Sequence, residues 1–328
     1  MQRRHFLSAT ATSAAAACGF VATPLTAVAQ GLPRGPVRII VGFPPGGGTD
    51  VVARVIAQQL AILWGIPVLV ENRAGAAGVI AAGYVAKLPA DGSTLLMTNF
   101  SNHAVAPSLY PKLDYVVERD FTPIMLVGIV PSILVCRPNQ PAQTVQAIIE
   151  RCRATPGMVS FGSAGPGSVQ HLALEMFKLR AGIDALHVPY KGSAPMIIDL
   201  IGGQIDYSFE TMSSAAPHVA SGKLLAIAQT RLRPAAAMPK LPTLAESGFA
   251  GFDASTWYGL AGPGQMDTAL VKRMNDDFNR VLLMPAVADK LVTFGAEDGG
   301  GSPAQFAAFI GTEKGKWAKV IRDAKVSI

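Results

Sequence analysis

The chain has 328 residues, half of them hydrophobic and 15% charged, with 28 Lys and Arg against 22 Asp and Glu for a net charge of +6. That is room for two domains of ordinary size, and it excludes a disordered chain, which needs high charge and few apolar residues. The basic residues are scattered, with no basic run and no interleaved aromatics, so no nucleic acid is expected as a partner. A mild positive balance suits a small anion better.

The first 30 residues read as a leader outside the fold. Arg3-Arg4-His5-Phe6-Leu7 has the twin-arginine pattern, an alanine-rich stretch follows, and Ala27-Val28-Ala29 offers a cleavage site. Export to the periplasm is expected, by the Tat route ahead of Sec, with the signal cleaved after Ala29. Lipid anchoring at Cys18 is the alternative, although Ala15-Ala16-Ala17 lacks a large aliphatic residue. Loss of Arg3 and Arg4 lowers the net charge to +4. No later run approaches the 18 apolar residues of a membrane span.

From there strand and helix patterns alternate. Strands are expected at Val37–Val41, Pro67–Glu71, Thr94–Thr98, Ile124–Val130, Ser132–Arg137, Val159–Gly162, Tyr207–Phe209, Leu224–Gln229 and Phe252–Leu260, with a further short strand before Tyr190. Helices are expected at Thr49–Leu63, Gly78–Leu88, Thr144–Ala154, Ser168–Ala181, Ala194–Ile201, Asp267–Met284 and Pro303–Lys325. Helical crossovers between strands argue for an α/β fold with largely parallel sheets. Ser302-Pro303-Ala304-Gln305 is a capping box with proline at the first helical position. Thr122–Arg137 is long, apolar and broken by Gly128 and Pro131, and Phe252–Leu260 can run back beside it. The chain therefore crosses between two lobes near 131 and returns near 252. The expected division is 31–131 with 253–328 in the first lobe and 132–252 in the second.

Two junctions carry the chemistry. Val37 to Asp50 is a β-branched strand, a Pro-Gly loop and a helix start; Val159 to Ser168 repeats the plan. A glycine loop feeding a helix N-terminus leaves main-chain N–H groups free where the dipole favours negative charge. Two such sites suggest a grip on an anionic small molecule from two sides. Gly42 to Asp50 has neither G-x-G-x-x-G nor Gly-Lys-Ser/Thr, so dinucleotide and P-loop readings fail. Asp50 would repel a bound anion. Its leading role is to complement the helix N-terminus, the alternatives being to hold the loop or to meet a ligand ammonium. At the second junction glycine directly precedes Ser163, which misses the G-x-S-x-G nucleophile elbow. Ser163 and Ser168 read as hydroxyl donors, Ser168 also as a helix cap.

Other candidates are weaker. His171 sits in a first helical turn, Lys191 follows a short strand, and Glu210 ends one, where doubly wound folds place ligand groups. His103, His187 and His218 show no paired-ligand spacing. No nucleophile, base and orienting group combine into a catalytic set, and no metal or cofactor is expected. Cys136 and Cys152 are expected as free thiols, with a disulfide the alternative in an oxidising compartment.

Six stretches together resemble a known family. They are Val37–Asp50, Val68 to Gly75, Asp91 to Leu96, Gly162–Ser168 with His171-Leu172, His187 to Gly192, and Pro242 to Gly248. In this order they resemble the Bug/TctC family, periplasmic solute-binding proteins of tripartite tricarboxylate transport systems. The resemblance implies a two-lobed, type II periplasmic binding protein with two doubly wound mixed sheets and a two-strand hinge. It implies a non-catalytic monomer that binds a di- or tricarboxylate, an amino acid or an aromatic acid and delivers it to membrane permease subunits. Carried over residue by residue, it places Phe43, Pro45, Gly47, Gly48, Thr49 and Asp50, then Asn99, Ser101 and Asn102, then Ser163, Gly165, Gly167 and Ser168 at the ligand, with Glu210 near any ligand ammonium. The residues themselves add His171 to that set. Glu210 stands where Asp is usual in the family, and Asn99 and Asn102 where Ser or Thr are common. A sensory receptor on the same fold is the alternative, and a hydrolase on carboxylated substrates the remote one.

Overall fold

The structure, a computed structural model, describes residues 31–327; the leader and the reading of Cys18 lie outside them. Two mixed five-stranded sheets form, each covered by helices. In the first, β1 (Val37–Val41) lies parallel to both β2 (Val68–Asn72) and β3 (Thr94–Asn99). Its β1 positions Val37, Ile39, Ile40 and Val41 are fully buried, as expected of a strand covered on both faces. Next to β3, antiparallel, runs β10 (Thr256–Pro263), and β4 (Phe121–Val130) forms the edge. The helices α1 (Gly48–Trp64), α2 (Val79–Val85), α9 (Thr268–Leu282), α10 (Pro285–Thr293) and α11 (Pro303–Asp323) accompany this sheet.

The second sheet has the order β7 (Leu186–Pro189), β6 (Ser160–Ser163), β8 (Tyr207–Thr211), β5 (Ser132–Cys136), β9 (Leu225–Gln229). β6 is parallel to β7 and β8, whereas β5 is antiparallel to β8 and β9. Its helices are α5 (Val145–Ala154), α6 (Val169–Ala181), α7 (Ser193–Gly202) and α8 (Met212–Ala220). Only Pro131 separates β4 in one sheet from β5 in the other. The return runs through 230–255 into β10, whose Thr256 pairs with Val130. Thr230 ties the crossings together: its hydroxyl donates to Ala254 O and accepts from Ser132 N.

The doubly wound α/β reading and the two-strand crossing agree with this architecture. Several local expectations do not. The return strand begins at Thr256, not Phe252, because Asp253 accepts from both Ser255 N and Ser255 Oγ in a tight turn. Phe252 instead stacks on Phe209 and meets Phe249 edge-on. The helix Met212–Ala220 was not expected, since its serines and internal Pro217 weaken any propensity signal. Nor was Pro285–Thr293, which opens on a proline directly after another helix. The stretch after β3 coils into a π-helical segment, Phe100–Val105, and then α3 (Ala106–Leu109); a one-turn helix, α4 (Val117–Asp120), precedes β4. Cys136 and Cys152 are buried free thiols, not a disulfide. Among the described residues no helix is long and apolar enough to cross a membrane.

Candidate functional site

The first junction is held by a carboxylate that faces away from the cleft. Asp50 Oδ2 accepts from Gly46 N at 2.9 Å and from Arg54 Nε at 2.9 Å, while Oδ1 accepts from Asn72 Nδ2 at 2.8 Å. Asn72 Nδ2 also donates to Phe43 O at 3.0 Å. Burial pushes the pKa of Asp50 up, but the bonds from Arg54, Gly46 and Asn72 outweigh it and hold the carboxyl below its ordinary value. Asp50 is therefore ionised and committed to shaping the loop. Just before Asp50, Gly48 and Thr49 open α1, and their main-chain N–H groups have no acceptor among the described residues. A Cβ on Gly48 would lie 2.2 Å from Ser213 Oγ, on α8 beside the second sheet, and 2.5 Å from Tyr258 Oη, on β10 of its own sheet.

The second junction is held without charge. Ser163 Oγ lies 2.6 Å from His187 Nε2 and accepts from Gly165 N at 3.1 Å. His171 Nδ1 accepts from Gly167 N at 3.2 Å, and the two imidazoles stack with centroids 4.1 Å apart and planes within 10°. Burial pushes His171 down to about 4, helped by Lys178. Burial, together with His171, does the same for His187, again to about 4. Both rings are neutral at pH 7. Ser168 caps α6 through His171 N, leaving the N–H groups of Val169 and Gln170 without an acceptor among the described residues. Gly165 and Gly167 take φ of +121° and +77°, a region that favours glycine, and a Cβ on Gly167 would meet Leu109 at 2.8 Å.

Between these junctions lies a narrow cleft lined by the starts of both helices, by β3 and its following turn, and by β10. Of the residues expected from sequence it contains Phe43, Gly47, Gly48, Thr49, Asn99, Ser101 and Ser168. The others serve it indirectly. Pro45 is exposed at the loop tip. Asn102 forms a reciprocal cap with Asn99: Asn99 Oδ1 accepts from Asn102 N, and Asn102 Oδ1 from Asn99 N. That exchange uses the side-chain oxygen of each asparagine as an acceptor, as in a capping box. Ser163, Gly167 and His171 brace the second junction behind the cleft wall, as Asp50 braces the first. Gly165 lines an adjoining open cleft with Pro44, Ala76, Tyr190 and Lys191.

Glu210 is fully buried behind the wall. Its Oε1 accepts from Gln170 Nε2 (3.1 Å), Ser193 Oγ (2.9 Å), Thr211 N (2.7 Å) and Thr211 Oγ1 (2.9 Å). Burial pushes the carboxyl up, against the pull of those bonds. The residues that sequence reasoning missed are the apolar Ala164 and Val169 and the polar Gln170, Ser193, Thr211, Thr256 and Tyr258, all in the cleft wall. Two had a usable signal: Ser193 opens a third helix after Gly192, and Thr211 directly follows Glu210. Thr256 and Tyr258 had none, because alternate positions of a buried strand give no hint of which neighbour they face. Ser163 and His187 form a hydroxyl–imidazole pair that the sequence did not reveal, but Ser163 is 1% exposed and outside the cleft lining. No group of three or more His, Cys, Asp or Glu could hold a metal ion among the described residues.

Comparison with known proteins places this geometry. The profile of the family described as "Tripartite tricarboxylate transporter family receptor" matches residues 52–326. "Protein BugT" of Bordetella pertussis is 40% identical over 304 residues, 92% of this chain and 93% of that protein. An R. palustris protein solved with adipate superposes with a TM-score of 0.87 at 34% identity, covering 90% of this chain and 99% of that one. The periplasmic binding protein BugD superposes at 0.85 with 32% identity and the same coverage. MatC from Rhodopseudomonas palustris with bound malate superposes at 0.83 with 29% identity, over 88% and 100%. The fold is that of type II periplasmic binding proteins.

Proposed function

The chain belongs to the tripartite tricarboxylate transporter receptor family, and from that premise we propose that it binds a small dicarboxylate between its two sheets and delivers it to a membrane permease. One observation carries the reading. Four main-chain N–H groups, those of Gly48, Thr49, Val169 and Gln170, lack an acceptor among the described residues and belong to residues lining a single cleft. Two helix N-termini that converge on one point form an anion site. Each contributes roughly 0.3–1 kcal/mol when exposed and up to about 2 when partly buried, so binding needs both lobes and the exclusion of water. A ligand that touches both lobes favours the closed form by its differential affinity.

In this reading residues 31–131 and 253–328 form one lobe and 132–252 the other, since the sheets exchange strands at Pro131 and before Thr256. The ligand meets Phe43, Gly47, Gly48, Thr49, Asn99, Ser101 and Ser168 directly. Asp50, Asn102, Ser163, Gly165, Gly167, His171 and Glu210 keep those groups in place. The protein works in the periplasm, exported by the twin-arginine route on the strength of Arg3-Arg4-His5-Phe6-Leu7. Related proteins solved with adipate and with malate support a dicarboxylate as ligand. Titration calorimetry of unfolded, ligand-stripped and refolded protein against di- and tricarboxylates tests the proposal. Saturable binding of at least one acid is expected; no heat from any of them, with a native circular dichroism spectrum, refutes it.

A further inference from the structure

Gln170 is 4% exposed, lines the cleft, and has both amide hydrogens committed. Its Nε2 donates to Glu210 Oε1 at 3.1 Å and to Ser193 Oγ at 3.2 Å. A flipped amide would set Gln170 Oε1 against Glu210 Oε1, lone pair against lone pair, so the network fixes the orientation. The Ser193 and Thr211 hydroxyls are oriented by the same atom, each donating its proton to Glu210 Oε1. This pattern holds for the carboxylate and for the acid protonated at Oε2. Oε1 accepts in the carboxylate, and it accepts equally in the neutral acid with the proton on Oε2, the oxygen that has no partner. The side chains of this wall thus turn their donors inward to Glu210 and leave acceptors for the cleft.

We propose that Gln170 determines specificity: locked by Glu210 and Ser193, it presents its amide oxygen to the ligand and selects carboxylic acids that also carry a hydrogen-bond donor, a hydroxyl or an ammonium. This rests on the dicarboxylate reading above and narrows it. The main-chain N–H groups at the two helix starts take the carboxylate oxygens. The Gln170 oxygen takes the donor on the intervening chain. A plain alkanedioate leaves that buried acceptor without a partner, and unpaired acceptors are where small-ligand discrimination is strongest.

The test is calorimetry with diacids matched in length: succinate, malate and aspartate; glutarate, 2-hydroxyglutarate and glutamate; adipate, 2-hydroxyadipate and 2-aminoadipate. At the length the cleft accepts, the hydroxylated or aminated acid is expected to bind at least tenfold tighter than the plain one. Whichever of the two wins separates hydroxyl from ammonium recognition. Gln170→Met, similar in volume but without the amide, is expected to bring the matched acids within about twofold of each other. Plain diacids binding as tightly as their substituted partners at every length overturn the proposal and leave the dicarboxylate reading standing. A preference that survives in Gln170→Met also overturns it. Absence of binding to the whole panel removes both readings. The wild-type comparison decides the matter even if the variant fails to fold.

Discussion

The two junctions that face the cleft perform the same task by opposite means. At the first, an ionised carboxylate tied to a guanidinium and an amide, Asp50 with Arg54 and Asn72, holds the loop before α1. At the second, a neutral serine–histidine pair and a stacked imidazole, Ser163, His187 and His171, hold the loop before α6. Each leaves two helix-start N–H groups free for a ligand. The charged brace rests on one carboxylate, 2% exposed, that accepts from Gly46 N, Arg54 and Asn72 together, so its loss leaves three donors without an acceptor; the neutral brace loses only a dipole when broken. An anion site can therefore be built with a negative charge directly behind it, provided that charge is fully committed elsewhere.

The largest effect is expected where the two lobes touch. Gly48→Ala forces a Cβ within 2.2 Å of Ser213 Oγ, which keeps the lobes apart, so affinity for the bound acid should fall at least 100-fold, or about 3 kcal/mol. Calorimetry reads this; unchanged affinity would mean that closure does not bring α1 against Ser213. Next is the charged brace. Asp50→Ala leaves Gly46 N, Asn72 and Arg54 without their acceptor and should cost about 2–3 kcal/mol in urea unfolding.

Acidification separates the braces. His171 and His187, pushed to about 4 by burial, bind fewer protons folded than unfolded between that value and 6.5. Stability is therefore lost as pH falls through that window, up to about 2 kcal/mol per group by pH 5. Asp50 is depressed below 3.8, so its contribution persists through the same window and is lost only at lower pH. His103, pushed to about 3 by burial, adds a background that both braces share. A melting-temperature profile from pH 7 to 5 should fall in the wild type and fall less steeply in His187→Gln, where His171 and His103 still titrate; equal slopes would place the titration elsewhere. Ser163→Ala should cost about 1 kcal/mol, less than the loss at Asp50, and a larger loss would reverse the ranking of the braces. Arg54→Ala should be the mildest, about 0.5 kcal/mol in the same unfolding assay, because the arginine is 51% exposed and its ion pair is screened.

Much of the cleft was legible because helix starts announce themselves. Glycine loops before apolar-periodic segments located Gly47 to Thr49 and Ser168, and the resemblance added Asn99 and Ser101. Asn102, Ser163, His171 and Glu210 were found as positions but not as roles, and for Asp50 holding the loop stood only as an alternative, because the direction of a side chain depends on partners far along the chain. Asn72 lies 22 residues from Asp50 and His187 lies 24 from Ser163. Gln170 gave no signal at all. It reads as an ordinary polar residue in the first turn of a helix, and only Glu210, 40 residues later, makes it an oriented acceptor.

The sequence by itself determined the alternation of strand and helix, the crossing near Pro131, both glycine junctions and the Ser168 cap. These follow from local periodicity and from backbone groups that must be satisfied within a few residues. The tertiary structure alone decided which polar groups face the cleft and with which end. Hydrogen-bond direction in a buried network is set jointly by all its members, and here those members come from α6, α7 and β8, which the chain brings together only when the second sheet closes.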